Sequence, residues 1–277
     1  MLQGIDEQSA VFEEILYSVG SGVATITLNR PERRNALSMR GYDELVAALR
    51  RAEADETAGV VVIAGAGRSW CAGGDIEMAQ TMLTSEAAAR THFFGRMIEA
   101  SHWMLLIGKP VVCAIQGACI GGGAELMTFA DFVIADASAF FAYNGTAIGG
   151  CSWWGGPQLL PLLVGMRRAE EILYLSARID AEDAAQMGLI NRVVPVGQLA
   201  QATDDHCQKV LDLSEEGIRM TKAALRSTKE IMLASMTAAA EMNVAGLAKP
   251  HLHAAFDAFR EGREMSWRAL RPGLNER

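Results

Sequence analysis

With 277 residues, half of them hydrophobic and 21% charged, the chain has the composition of an ordinary globular protein with room for one large domain or one and a half smaller ones. A formal charge of −8 argues against a general nucleic-acid or anionic-membrane surface. Five cysteines without a C-x-x-C pair, and five histidines without partners at ligand spacing, favour reduced thiols and no metal site.

The N-terminus MLQGIDEQSAVFEE lacks the basic start and apolar core of a signal peptide. The apolar runs fall short of the roughly 18 residues that a membrane helix needs, so a cytoplasmic protein is expected. Strands are predicted over residues 15–18 and 22–28, joined by Val19-Gly20-Ser21-Gly22. A polar, proline-containing loop spans residues 29–35. Ser38 then opens an amphipathic helix with Leu45, Val46 and Leu49 on one side and Asp43, Glu44, Arg50 and Arg51 on the other. Residues 59–65 read as a buried strand, and residues 66–76 as a glycine-rich loop. That loop has no third glycine at dinucleotide spacing and no Lys-Ser/Thr, which excludes both common nucleotide fingerprints. Residues 76–106 are expected to be helical, with Met78, Met82, Phe93, Met97 and Ile98 toward the core.

The stretch KPVVCAIQGACIGGGAEL, residues 109–126, carries the strongest local signal. Val111-Val112-Cys113-Ala114-Ile115 suits a strand buried on both faces. It runs through Gly117, Gly121, Gly122 and Gly123 into a helix that begins around Glu125. Glycines there expose backbone N–H groups at a helix start, where they can bind a phosphate or hold the oxyanion of a carbonyl under attack. A tight turn with a solvated glutamate is the simpler alternative. Two glycine loops, each after a buried strand, can bring their N–H groups together. Two donors and one carboxylate are the parts needed to polarise a carbonyl and move a proton.

Downstream, residues 132–135 read as a strand, and residues 139–158 alternate glycines and aromatics without a regular period. Helices follow over 167–176 and 181–187, the second capped by Gly188, then a strand over 189–194. Beyond residue 197 glycine is rare and helix formers dominate. The chain is therefore divided into an α/β core, residues 1–196, and a helical region, residues 197–277.

Together these segments resemble the crotonase (enoyl-CoA hydratase/isomerase) superfamily over nearly the whole chain. The matching pieces are Leu28-Asn29-Arg30-Pro31, Asn35-Ala36-Leu37-Ser38, Cys71-Ala72-Gly73-Gly74-Asp75-Ile76, the run from Lys109 to Leu126, Gly165-Met166-Arg167-Arg168-Ala169, and AAQMGLINRVVP at 184–195. The resemblance implies a spiral of ββα units with a helical C-terminal trimerisation region. It also implies an acyl-CoA thioester as substrate, coenzyme A being part of that substrate and no separate cofactor being needed. The thioester carbonyl would sit between the N–H groups of Gly74 and Gly122, which stabilise an enolate. The loops at 33–36 and 72–76 would hold the coenzyme, with Arg34 either a phosphate contact or a solvated loop arginine. Substrate contacts are expected from Arg34, Ala36, Ala72, Asp75, Ile76, Gly121, Gly145 and Trp153.

Hydratases of the resembled family hold a water between two glutamates. The first matches Glu125; at the second this chain has Gly145, and Trp153-Trp154 replaces a small turn nearby. A dehalogenase aspartate near Trp153 is absent, and Ser152 stands where the naphthoate-synthase pattern has an aspartate. Other candidate acids and bases are Tyr143, Asp75, His92 and Cys151. Asp75 also suits a helix cap, and His92 a surface or core position. Cys151 and Ser152 have no activating histidine nearby in sequence. At least one of the two tryptophans is expected to line the pocket or an interface. The expected activity is hydration or isomerisation of an enoyl-CoA with Glu125 as acid/base. Hydrolysis, ring cleavage or decarboxylation of an unusual acyl-CoA, and non-catalytic acyl-CoA binding, are the alternatives. Hydration is expected to be weak, and Gly145→Glu to raise it where Trp153 and Trp154 leave room for the acyl chain. Apolar faces at Leu225, Ile231, Met232, Met236, Met242 and Leu247, with Phe256 and Phe259, predict that the protein is not a monomer, and the resemblance implies a homotrimer or a dimer of trimers.

Overall fold

The chain opens with a hairpin whose turn needs two left-handed residues. Ser21 (φ 50°) and Gly22 (φ 80°) turn β1 (Ile15–Gly20) onto β2 (Val23–Leu28) in the primed geometry that matches strand twist. The computed structural model describes residues 12–75, 86–247, 249–263 and 265–271. Ile76, Met78 and Met82 lie outside them, as do the side chains of His92, Met232, Leu247, Phe256 and Phe259.

The remaining strands are β3 (Val60–Gly65), β4 (Val111–Ile115), β5 (Ala118–Ile120), β6 (Phe132–Asp136), β7 (Phe140–Ala142), β8 (Ile179–Asp180) and β9 (Arg192–Val194). Six of them form one sheet in the order β1-β2-β3-β4-β6-β9, parallel except for the opening hairpin. A smaller sheet, β5-β7-β8, stands beside it. The expected α/β class and the crotonase-type spiral are both observed. Alternation along the strands sends side chains to two cores. Val61, Ile63, Val111 and Cys113 face one, with Leu45 and Leu49 of α1 (Met39–Ala54) and Met97 and Met104 of α2 (Gly95–Leu106). Val60, Val62, Val112 and Ala114 face the other, with Cys207 and Val210. Ser38 caps α1, its hydroxyl accepting from Gly41 N at 3.0 Å.

Other helices are α3 (Gly122–Met127), α4 (Gly156–Val164), α5 (Met166–Leu175), α6 (Ala181–Gln186), α7 (Leu199–Leu211), α8 (Glu215–Leu233), α9 (Met236–Leu247) and α10 (Pro250–Arg260). Residues 139–158 contain more order than their composition suggests. Phe140–Ala142 is a strand, too short for alternation to show. Helix α4 hides behind Gly156 and Pro157 in its first turn, where proline costs no hydrogen bond. Ahead of α2, Ala89–Phe94 is π-helical, a departure from helical period that sequence spacing does not announce.

The helical C-terminal region is tied into the sheet. The buried ammonium of Lys222 on α8 donates to Asp131 Oδ2 (2.6 Å) and to Lys109 O (2.8 Å). Leu225, Ile231 and Met242 are exposed as expected, whereas Met236 packs into the chain's own core. Among the described residues, no helix is long and apolar enough to cross a membrane.

Candidate active site

Two loops are stitched together before they reach the cleft. Cys71 N donates to Ala118 O (3.1 Å), and Ile120 N donates back to Cys71 O (3.0 Å). Leu37 N bonds Gly73 O (2.8 Å) and Asp75 N bonds Leu37 O (2.9 Å), so residues 73–75 are held between α1's approach and β5. Gly73 (φ 95°) needs its missing side chain for two reasons. The φ is left-handed, and a Cβ there would lie 2.9 Å from Gly122 N. A Cβ on Gly122 would in turn lie 3.4 Å from Gly74 N. The two main-chain amides therefore converge from separate loops, and neither has an acceptor among the described residues. Preorganised N–H pairs of this kind fit an oxygen that gains negative charge.

Three residues after Gly122, α3 presents Glu125, only 5% exposed. Its Oε1 accepts from Trp154 N at 2.7 Å. Burial pushes the carboxyl up to about 8, against which the Trp154 N–H pulls it down. The jacket responsible is aromatic: Trp154 packs against Tyr42 (5.9 Å between centroids) and Phe129 (5.5 Å). Tyr143 is fully buried and its hydroxyl donates to Ala124 O (3.2 Å). That residue supports α3 and does not reach the cleft.

Glu125, Gly74 and Gly122 line one cleft of about 420 Å³, together with Arg34, Ala36, Ala72, Asp75, Gly121, Gly145 and Trp153. Every expected site residue among those described is thus brought together. The Asp75 carboxylate pairs with Arg30 Nη1 (2.8 Å), which also donates to Ala36 O (2.7 Å). It locks the loop around residues 30–36 to Asp75 of the second loop. The helix it was expected to cap lies outside the described residues.

Gly145 requires a correction to the expected rescue by glutamate. A Cβ there would lie 2.3 Å from Ser152 N and 2.5 Å from Cys151 C. Main chain crowds any side chain at this position, so a glutamate there requires residues 151–152 to shift, apart from the room that the indoles leave for an acyl chain. Trp153 (5% exposed) lines the cleft edge-on to Phe94 (4.8 Å), while Trp154 points into the core. Both indoles are buried, in different directions.

Sequence reasoning missed the wall opposite. Phe93, Phe94 and Met97 reach the cleft from the π-helical stretch and α2, and Asn243 and Leu252 reach it from α9 and α10. Nothing local marks these last two, about a hundred residues along the chain from the loop they meet. Cys151 is the one exposed cysteine of five, all free. Its Sγ accepts from Asn243 Nδ2 (3.0 Å), and burial raises its thiol, the reverse of activation.

A family model described as enoyl-CoA hydratase/isomerase matches residues 18–270. An enoyl-CoA hydratase/isomerase from Xanthobacter autotrophicus Py2 is similar with a TM-score of 0.81 and 30% identity, covering 91% of this chain and 94% of that one. An enoyl-CoA hydratase/isomerase from Pseudoalteromonas atlantica T6c has a TM-score of 0.82 at 26% identity, over 92% of this chain and 100% of that one. A monofunctional enoyl CoA isomerase from M. smegmatis has a TM-score of 0.67 at 30% identity, over 78% and 94% respectively.

Proposed function

The chain belongs to the enoyl-CoA hydratase/isomerase family, and from that premise we propose that it shifts the double bond of an enoyl-CoA rather than hydrating it. The thioester oxygen accepts from Gly74 and Gly122 N–H. Glu125 removes a proton from C2 of a 3-enoyl thioester, the electron pair moves onto that oxygen as a dienolate, and the same carboxyl returns the proton at C4. One carboxylate suffices for this exchange; of those lining the cleft, Asp75 is paired with Arg30 and Glu32 is exposed, which leaves Glu125. Arg34, Ala36 and Ala72 hold the coenzyme at the mouth of the cleft.

The observation that supports the choice is the main chain of Cys151 and Ser152 against Gly145, the position that the resemblance matches to the second carboxylate. An idle buried carboxylate would be costly, which argues against a mere binder. The test compares conversion of 3-hexenoyl-CoA with hydration of crotonyl-CoA. Isomerisation is expected to be faster by roughly 10²-fold, the scale of one missing acid/base. Gly145→Glu is expected to displace residues 151–152 and lose activity. Fast crotonyl-CoA hydration by the unaltered protein, or by that variant, would refute the reading.

We also propose self-association through the C-terminal helices. Ile231 is 75% exposed, Met242 74% and Leu225 61%, an apolar surface that a second copy would cover. Sedimentation at micromolar concentration should show a species of several chains; a single-chain species would rule this out.

A further inference from the structure

We propose that Asn243 of α9 is a positioning residue for Glu125, acting through the main chain of residues 150–154. The inference rests on Glu125 being the acid/base assigned above. The Asn243 carboxamide is fixed on every side. Its Oδ1 accepts from Cys151 N (3.1 Å), and its Nδ2 donates to Cys151 Sγ (3.0 Å) and to Ala239 O one turn earlier on α9 (3.0 Å). Gly150 permits the approach, since a Cβ there would lie 3.1 Å from Asn243 Oδ1. Ahead of this clamp, Trp267 Nε1 donates to Ala147 O (3.0 Å), and its ring would meet a Cβ on Gly149 at 2.6 Å.

Past the clamp the segment has little freedom. Its Ser152 N and Cys151 C rest on Gly145, its Trp153 and Trp154 indoles are wedged in opposite directions, and its Trp154 N–H ends on Glu125 Oε1. A side chain from the far end of the sequence thereby sets where the hydrogen bond to the acid/base points. Among the described residues, the titratable groups facing Glu125 are Tyr42 of α1 and Tyr143 beyond β7, both fully buried, and the more exposed Cys151, and desolvation raises all three. Freeing the segment withdraws a donor from the ionised carboxyl, so Glu125 should give up its proton at higher pH.

The test follows the protonated-carboxyl stretch by infrared difference spectroscopy on the ligand-free protein, assigned by its loss in Glu125→Gln. Asn243→Ala removes both bonds to Cys151 together with the one to Ala239 O. Asn243→Leu removes them while keeping four side-chain heavy atoms branched at Cγ, which covers failure of the alanine variant to fold. The titration midpoint should rise by about one pH unit, the scale of one hydrogen bond to the charged form. Proton exchange alpha to the thioester should fall roughly tenfold in kcat, with KM changed less than about threefold. A midpoint equal to wild type in the folded variants would overturn the inference, because packing alone does not move it. Wild-type protein that turns over no acyl-CoA would refute the function proposed above and leave the midpoint to decide the positioning.

Discussion

Replacing Glu125 with glutamine should lower proton transfer by about 10³-fold or more and should also stabilise the protein above neutral pH. The two effects share one cause. Glu125 is 5% exposed inside an aromatic jacket, and its carboxyl is pushed from an ordinary value of 4.5 up to about 8. A raised value means that the folded state keeps a proton that the unfolded chain releases. The corresponding stability is fully present below pH 4.5 and is lost as pH rises through about 8. At pH 7 the loss is on the order of 3 kcal/mol, and relaxation of the site reduces it. Glutamine escapes this cost and still offers an oxygen to Trp154 N–H. Urea unfolding at pH 5, 7 and 9 should show the variant's advantage growing with pH. Equal advantage at all three would mean that Glu125 is ionised and solvated in the folded protein. In the unaltered enzyme, kcat/KM for isomerisation should climb with pH and level off above about 8, as the base form accumulates.

What could be read from the sequence follows from how local each constraint is. Gly73 and Gly121 adopt left-handed φ values of 95° and 54°, so their identity is demanded by their own backbone and shows in the motif. Strand β4, buried at every position, shows as an unbroken apolar run. Gly145 is the opposite case. Its φ is −54°, which any residue adopts, so the need for glycine comes only from Cys151 and Ser152 lying on its α-carbon. The sequence shows a glycine where the resemblance expects a carboxylate, but it carries no sign of the main chain packed against it. Asn243 and Leu252 were unreadable for the same reason: each meets a loop about a hundred residues away, and on their own helices they are an ordinary polar and an ordinary apolar position. The α/β core was legible because its pattern is periodic; the wall facing Glu125 was not, because long-range packing makes it.

Gly122→Pro should leave the protein folded and cost roughly 10² to 10³ in kcat. Gly122 is the first residue of α3, where a proline lacks only an N–H that has no partner within the helix. A Cβ there would meet Gly74 N at 3.4 Å and Tyr42 Oη at 3.5 Å, which is contact without overlap. The substitution therefore deletes one of the two converging donors and puts the ring methylene in place of its hydrogen. If the pair stabilises a developing oxyanion, the loss appears in kcat, since the charge grows only toward the enolate; ground-state binding of the thioester, and hence KM, should move far less. A change in KM alone would make Gly122 a binding contact instead. Undiminished turnover in a variant with wild-type circular dichroism would show that the carbonyl is polarised elsewhere, and the reading of the glycine loops would fall with it.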